Sequence, residues 1–344
     1  MNQGSGNVLY HGVSSYQLLE VILHRLLFHR EEKAVLLLPD FIREKYPQWE
    51  GLSPRFFQEV RLFPYLSIPH GEEAQVVRDT AAAYKSLDLP PLEEFSRIYI
   101  AGAHFYFALY VISQGLPFAF FEDAAGMLSR PEEAAAVLAA KFPQHAALAQ
   151  ANGLFAGNHP LIREVFCCWE AQSGPVETRA AVWDFSVERA LKSLPWKERR
   201  RLVRFFVKRP LKTRADTILL TQQFSNLGLM GEEEQRSLYR DLAQGPLAGR
   251  QLLVKPHPDD PLDYHQVFPG AQVVDTVFPA ELLPYVFRGR KPKTVAAFSS
   301  AGLCGLEESF QVLRLPAGEA ACPQEPVKGP APCPPGPLAG HPSI

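Results

Sequence analysis

The sequence predicts an α/β protein made of two Rossmann-like halves in series, facing a cleft. Three observations carry this prediction. The chain has 344 residues, and at roughly 150 residues per domain that length holds two domains. Its 47% hydrophobic and 21% charged residues are the proportions of a globular chain with cores to bury. Short apolar runs alternate with helical stretches twice along the chain, which is the pattern of parallel sheets with crossover helices.

In the first half, strands are expected at 8–11, 34–38, 59–63, 97–101 and 117–121. Each is nearly continuous in apolar residues, as when both faces of a sheet are covered. Leu-rich helical periodicity follows the first strand at 16–28, and an aromatic-rich helix follows the fourth at 105–113. From 132 to 207 the periodicity is mainly helical. It ends in the basic segment 196–214, read as the tail of the first domain and its connection to the second. The first domain is therefore expected to span 1–207. A second alternation follows in 208–316, with strands at 217–221, 251–255, 271–274, 294–298 and 310–315. Beyond 316 the chain turns to Pro, Ala and Gly, a composition too poor in apolar surface to offset its ordering entropy, so 317–344 is expected to be a disordered tail.

The charge balance narrows the functional classes. A net charge of -2 sets the chain apart from typical nucleic-acid binders, and no nucleic-acid partner is expected. There is no GxGxxG or Walker-type loop and no repeat of fixed period. The five cysteines, Cys167, Cys168, Cys304, Cys322 and Cys333, are odd in number and lack metal-ligand spacing, so they read as cytosolic thiols. Neither a signal peptide nor a membrane-spanning run is found, and the expected location is the cytoplasm.

Three constellations lie at or just past strand ends, where ligands bind open α/β sheets. Glu122 and Asp123 emerge from the apolar strand at 117–121, ahead of Gly126. A carboxylate in a partly dry site becomes a competent base, although an acidic pair there also caps a following helix. Lys255-Pro256-His257-Pro258 closes another strand, and the two prolines restrict how His257 is presented. An imidazole beside Lys255 can bind a phosphate or protonate a departing phosphate oxygen. Ser299 and Ser300 follow the strand at 294–298, where hydroxyls and amides at a helix start can hold an anion or simply cap the helix.

An acidic pair before Gly, then His-Pro, then Ser-Ser, in this order, resembles the bacterial sialyltransferases of glycosyltransferase family 52 and the related bacterial polysialyltransferases. Phe278 to Leu283 looks like the segment whose glutamate, here Glu281, holds the donor ribose. The resemblance implies the GT-B fold of nucleotide-sugar transferases, with acceptor on the first half and donor on the second. It makes Glu122 the general base, His257 the acid or clamp on the CMP phosphate, and Ser299 and Ser300 the phosphate holders; Lys255 and Pro258, beside His257, are expected to bind the donor with them. The family's acidic pair is followed directly by Gly, whereas Ala124 and Ala125 intervene here, so Asp123 is the other candidate base. Thr221 and Gln222 would border the donor; Ser14, Ser15 and Tyr16 would border the acceptor.

The resulting expectation is an inverting, metal-independent transferase that moves a CMP-activated sugar to a glycan or glycolipid, with no cofactor. Competing readings are a GT-B transferase with another nucleotide sugar and a degenerate glycan- or nucleotide-binding homologue. A third is a metal-dependent phosphoesterase built on His257, Asp259, Asp260, Asp263 and His265. The segment 196–214 carries nine Lys or Arg against one Glu with apolar residues interleaved. It could seat the protein on the inner face of the plasma membrane or be a solvated helix. A homodimer is compatible with the sequence.

Overall fold

A computed structural model describes residues 6–102, 104–298, 303 and 305–316. The expected phosphate holders Ser299 and Ser300, the thiols Cys304, Cys322 and Cys333, and the tail 317–344 lie outside the described residues. The chain divides into two compact units at Pro195/Trp196.

The first unit contains β1 (Asn7–His11), α1 (Ser15–Phe28), β2 (Lys33–Pro39), α2 (Ile42–Lys45), β3 (Glu59–Phe63), α3 (Glu73–Lys85) and β4 (Phe95–Ala101). It continues through α4 (Tyr106–Ser113), β5 (Phe118–Phe121), α5 (Pro131–Lys141), α6 (Pro143–Ala151), β6 (Ile162–Cys167), β7 (Ala181–Asp184) and α7 (Val187–Ser193). The seven strands form one sheet of order β3-β2-β1-β4-β5-β6-β7, parallel throughout. The second unit contains α8 (Trp196–Phe206), β8 (Thr217–Leu220), α9 (Glu232–Gln244), β9 (Leu252–Lys255), α10 (Tyr264–Val267), β10 (Gln272–Val273), β11 (Thr294–Ala297) and β12 (Gln311–Arg314). Its sheet has the order β10-β9-β8-β11-β12, again all parallel.

All ten expected strands are present, with bounds shifted by a few residues at most. Two strands, β6 and β7, run through a stretch expected to be mainly helical: β6 pairs β5 and β7 and β7 ends the sheet, so the first sheet extends past β5. The helix α8 was expected to end the first domain but belongs to the second unit. Its Leu202, Val203, Phe205 and Phe206 are buried, its Arg199 guanidinium lies 5.0 Å from the Tyr285 ring centre, and the chain after it pairs Leu211 with Phe287.

The continuous apolar strands explain the central sheet. Val8, Leu9 and Tyr10 of β1 and Leu36, Leu37 and Leu38 of β2 are fully buried, so both faces of these strands are covered. An aromatic core locks β1 to β4 and β5 to β6: Tyr10 stacks on Tyr99 at 4.9 Å and Phe121 stacks on Phe166 at 4.9 Å. Truncating one such buried ring typically costs about 3–5 kcal/mol.

In each sheet the strand order reverses once: between β1 and β4 in the first, and between β8 and β11 in the second. In the first sheet α1 follows β1 and α4 follows β4, and helices leaving such a point on opposite faces open a crevice beyond the carboxyl ends of the strands. Glu122 and Asp123 follow β5, the strand next to β4, and Lys255 to Pro258 close β9, the strand next to β8.

Candidate functional site

The first unit builds its site on three strand ends. After β1 the chain enters α1 through Ser14, whose hydroxyl accepts from Gln17 N at 3.2 Å. The Gln17 side-chain oxygen accepts from Val13 N at 2.9 Å and Ser14 N at 3.0 Å, completing a capping box. This arrangement fixes Gln17, and its amide donates to Asp123 Oδ1 at 2.7 Å. After β4, Gly102 turns the chain at φ +73, and His104 Nδ1 lies 3.0 Å from Asp123 Oδ2. The His104 ring stacks on Phe155 at 5.9 Å and 12°. Both oxygens of Asp123 are thus oriented, and its side chain keeps 30% of its surface exposed.

Glu122, expected from the resemblance to be the base, is turned the other way. It is 1% exposed. Its Oε1 accepts from Cys168 N at 2.6 Å, and its Oε2 accepts from Gly126 N at 3.1 Å, Leu128 N at 3.3 Å and Gln172 Nε2 at 2.9 Å. These four donors close the 122–128 turn onto the loop after β6. Burial pushes the Glu122 carboxyl up to about 7, against the pull of the four donors. Ala124 and Ala125 give the turn the length to bring Gly126 N back to Glu122, while Asp123 keeps part of its surface exposed. A small pocket of about 10 Å³, room for roughly one water, is lined by His104, Glu122, Asp123, Met127, Leu128 and Phe155 among others.

Ser14, expected at the acceptor site, spends its hydroxyl on the helix cap. The Ser15 hydroxyl is buried, with no hydrogen-bond partner among the described residues, and Tyr16 is half-buried on the same turn. The sequence reading missed Gln17 and His104. The S-x-x-Q capping pattern and the position of His104 just past a strand end were the available signals. His11, at the end of β1, is structural: fully buried, it bonds Ala101 O through Nδ1 and Tyr65 OH through Nε2, and burial pulls it down to about 3.

In the second unit, Lys255 ends β9 and is 8% exposed. Its ammonium lies 4.8 Å from the Phe278 ring centre, and burial pulls it down to about 8, against the attraction of Glu281. Glu281 begins the short 3₁₀ turn 280–285, and burial pushes its carboxyl up to about 7. Beyond Pro256, His257 N donates to Thr221 Oγ1 at 2.9 Å, and His257 Nδ1 accepts from Asp259 N at 3.2 Å. The second contact places the ring proton on Nε2. Pro258 follows, half-buried.

Thr221 and Gln222, expected to border the donor, support this loop. Thr221 Oγ1 lies 3.3 Å from Asp260 Oδ2, and Gln222 N donates to the Tyr239 hydroxyl at 2.7 Å. Asp260 collects Gln235 Nε2 at 3.1 Å, Leu262 N at 3.1 Å and the Tyr264 hydroxyl. These contacts do not gather the residues of the metal reading into one group. Asp260 is turned into the helix packing, Asp263 caps α10, and His265 pairs with Asp275 at 3.6 Å on the surface. Among the described residues no three His, Cys, Asp or Glu side chains form a group able to hold a metal ion.

No protein-family model matches the chain. An uncharacterized protein of Haemophilus influenzae is 32% identical over 84 residues, a match confined to 24% of this chain and 27% of that protein. Among solved structures, Medicago truncatula UGT71G1 complexed with UDP-glucose superposes with a TM-score of 0.53 at 10% identity, covering 91% of this chain and 80% of that one. UDP-GlcNAc 2-epimerase from Neisseria meningitidis, bound to UDP-GlcNAc, gives 0.52 at 14% identity, covering 90% and 82%. Arabidopsis thaliana UGT89C1 complexed with UDP-L-rhamnose gives 0.51 at 12%, covering 92% and 80%. At such identities the likeness speaks for architecture alone, and that architecture, two parallel-sheet α/β units in series, is the GT-B fold.

Proposed function

We propose that this chain is an inverting glycosyltransferase that takes a nucleotide-activated sugar as donor and a glycan or glycolipid hydroxyl as acceptor. The observation that carries the reading is the His104–Asp123 pair at the switch point of the first sheet, fixed by Gln17. Asp123 holds the Nδ1–H of His104, which leaves Nε2 to take the acceptor proton. A positioned base of this kind contributes about 10²–10⁴-fold. The base assigned to Glu122 by the resemblance moves to this pair.

On the donor side, Lys255 supplies a cation with no carboxylate in direct contact among the described residues. His257, with its proton on Nε2, can donate to the leaving phosphate oxygen. The acceptor oxygen forms the new bond to the sugar carbon as the bond from that carbon to phosphate breaks. The electron pair leaves with the nucleotide, and the acceptor proton goes to His104. Glu281 at the ribose and Ser299 and Ser300 at the phosphate follow from the sequence resemblance, as does the choice of a CMP-activated sialic acid or related sugar. The structural neighbours were solved with UDP-sugars, so UDP is the competing donor nucleotide.

A thermal-shift panel of CMP, UDP, GDP and their sugars tests the reading. A ligand at 100 times its dissociation constant adds about 2.7 kcal/mol to the folded state. Stabilisation by CMP above the others, followed by transfer from CMP-sialic acid, supports it. Preference for UDP keeps the transferase and changes the donor. Binding without turnover makes the chain a nucleotide-binding homologue, and no stabilisation by any nucleotide overturns the reading.

A further inference from the structure

The second unit carries a basic surface that the proposed chemistry does not use. On α8, Lys197, Arg200, Arg201 and Arg204 follow one another at helical spacing along the exposed side, opposite the buried Leu202, Val203, Phe205 and Phe206, and Lys208 follows just past the helix end. Trp196 opens the helix with 59% of its surface exposed, and the Arg200 guanidinium lies 6.0 Å from its ring centre. The fold then brings a second basic stretch alongside. Leu211 N donates to Val286 O at 2.8 Å and Arg288 N donates to Leu211 O at 2.9 Å, which places the stretch 286–293 against the chain leaving α8. That stretch contains Arg288, Arg290, Lys291 and Lys293 and no acidic residue, and the segment 196–214 contains one Glu, Glu198. Lys208, Arg209, Lys212, Arg288, Arg290 and Lys293 are all exposed.

We infer that this composite surface is a docking site for an anionic lipid bilayer, with Trp196 as its interfacial anchor. The apolar side of α8 is buried in the protein's own core, so the attraction comes from the basic side, and the exposed Trp196 is the ring of the helix free to enter the headgroup layer. Each added cation near the surface strengthens attraction to acidic headgroups, an attraction that salt screens within about 8 Å at physiological ionic strength. On a duplex, whose bases are stacked inside, the exposed indole finds only phosphate and sugar, whereas at a bilayer it enters the headgroup layer. No helix among the described residues is long and apolar enough to cross a membrane, so the contact is peripheral.

The experiment is vesicle sedimentation of the full chain. Vesicles of phosphatidylcholine alone are compared with vesicles containing 30% phosphatidylserine, at about 0.1 and 0.5 M salt. The expected result is binding to the anionic vesicles only, released by the higher salt. Reversing R200E/R204E/K208E, or separately R288E/R290E, should weaken the partition at least tenfold, and Trp196→Ala severalfold. The double reversal R43E/R55E in the first unit, which changes net charge as much as R288E/R290E, should leave it unchanged. Equal binding to neutral vesicles, equal loss in R43E/R55E, or displacement from vesicles by a short DNA duplex at lower concentration than the lipid would each overturn the inference. Because every reversed side chain is exposed, an unchanged circular dichroism spectrum is expected throughout. Nucleotide binding is read on the same variants and should persist, so failure here and failure of the transferase reading are distinct.

Discussion

Replacing Gly126 with Ala should damage the turn that presents Asp123. Gly126 sits at φ +85, a left-handed conformation that costs an L-residue with a Cβ roughly 1–2 kcal/mol. A Cβ there would lie 3.2 Å from the carbonyl carbon of Ala171 and nearer still to its oxygen, so backbone must shift. Forced repacking of this kind costs about 1–3 kcal/mol, while the stiffer unfolded chain returns about 0.4–1. The net expectation is a loss of about 2–4 kcal/mol. The shift would also move Gln172, which donates to Glu122 at 2.9 Å and accepts from Ser129 N at 2.9 Å, so the brace on Glu122 loosens together with the turn. Urea denaturation of the full chain measures this. At a slope of about 2–3 kcal/mol/M the midpoint of the first unit should fall by about 1 M. A midpoint within about 0.2 M of wild type would refute the reasoning, because no route then exists for the strain to be relieved without cost.

Glu122→Ala leaves four donors without an acceptor in a buried site and should cost at least about 2 kcal/mol, read from the same urea curves. Because the folded Glu122 carboxyl binds its proton near pH 7 rather than 4.5, its contribution is fully present below pH 4.5 and is lost as the pH rises through 7. The stability difference between wild type and Glu122→Gln should therefore drift by about 3 kcal/mol between pH 4.5 and 8, with wild type losing ground. Asp123→Asn and His104→Ala should each reduce transfer at least about 100-fold while moving stability by less than about 1 kcal/mol, a split read by pairing activity with denaturation. Lys255 binds a phosphate only when charged, and burial holds it near 8. Nucleotide affinity should fall as the pH rises beyond 8, and Lys255→Ala, measured by calorimetry, should remove both that dependence and about tenfold in affinity.

The central strands were legible because a parallel sheet covered on both faces writes itself as an apolar run, as in Leu36 to Leu38 or Phe118 to Phe121. The strand β6 was not, because Arg163 and Glu164 interrupt its pattern where the strand begins, and β7 was not, because an edge strand buries little; Ala181 and Asp184 are exposed. The helix α8 was legible as an amphipathic helix, yet its allegiance depends on Tyr285, some 86 positions beyond Arg199, which no local pattern encodes. At the site, the strand-end rule pointed to the Glu122-Asp123 pair but could not say which residue faces out. The donors that turn Glu122 inward come from Cys168 and Gln172, 46 and 50 positions away. His104 stands in no motif, and Gln17 looks like any helix residue until its box with Ser14 aims it at Asp123.

The two units solve one physical problem in the same way. A reactive group at a strand end has to sit on a loop, and a loop holds a side chain to a fraction of an ångström only if something rigid braces it. In the first unit the brace is the buried carboxylate of Glu122, held by the Gln172 amide at 2.9 Å and by three backbone N–H groups, and the group presented is Asp123. In the second the brace is Asp260, held by the Gln235 amide at 3.1 Å, the Tyr264 hydroxyl and Leu262 N, and the group presented is His257, tied to Asp260 through Thr221. An acid drawn wholly out of water, like Glu122, or partly, like Asp260, is costly, so it is tolerated only where its hydrogen bonds do something an apolar residue of the same size could not. Here each gathers donors from separate segments and thereby fixes a turn. The carboxylates that the sequence makes conspicuous therefore fall into two physical kinds. Changing a brace should lower stability and chemistry together, whereas changing Asp123 or His257 should lower chemistry alone.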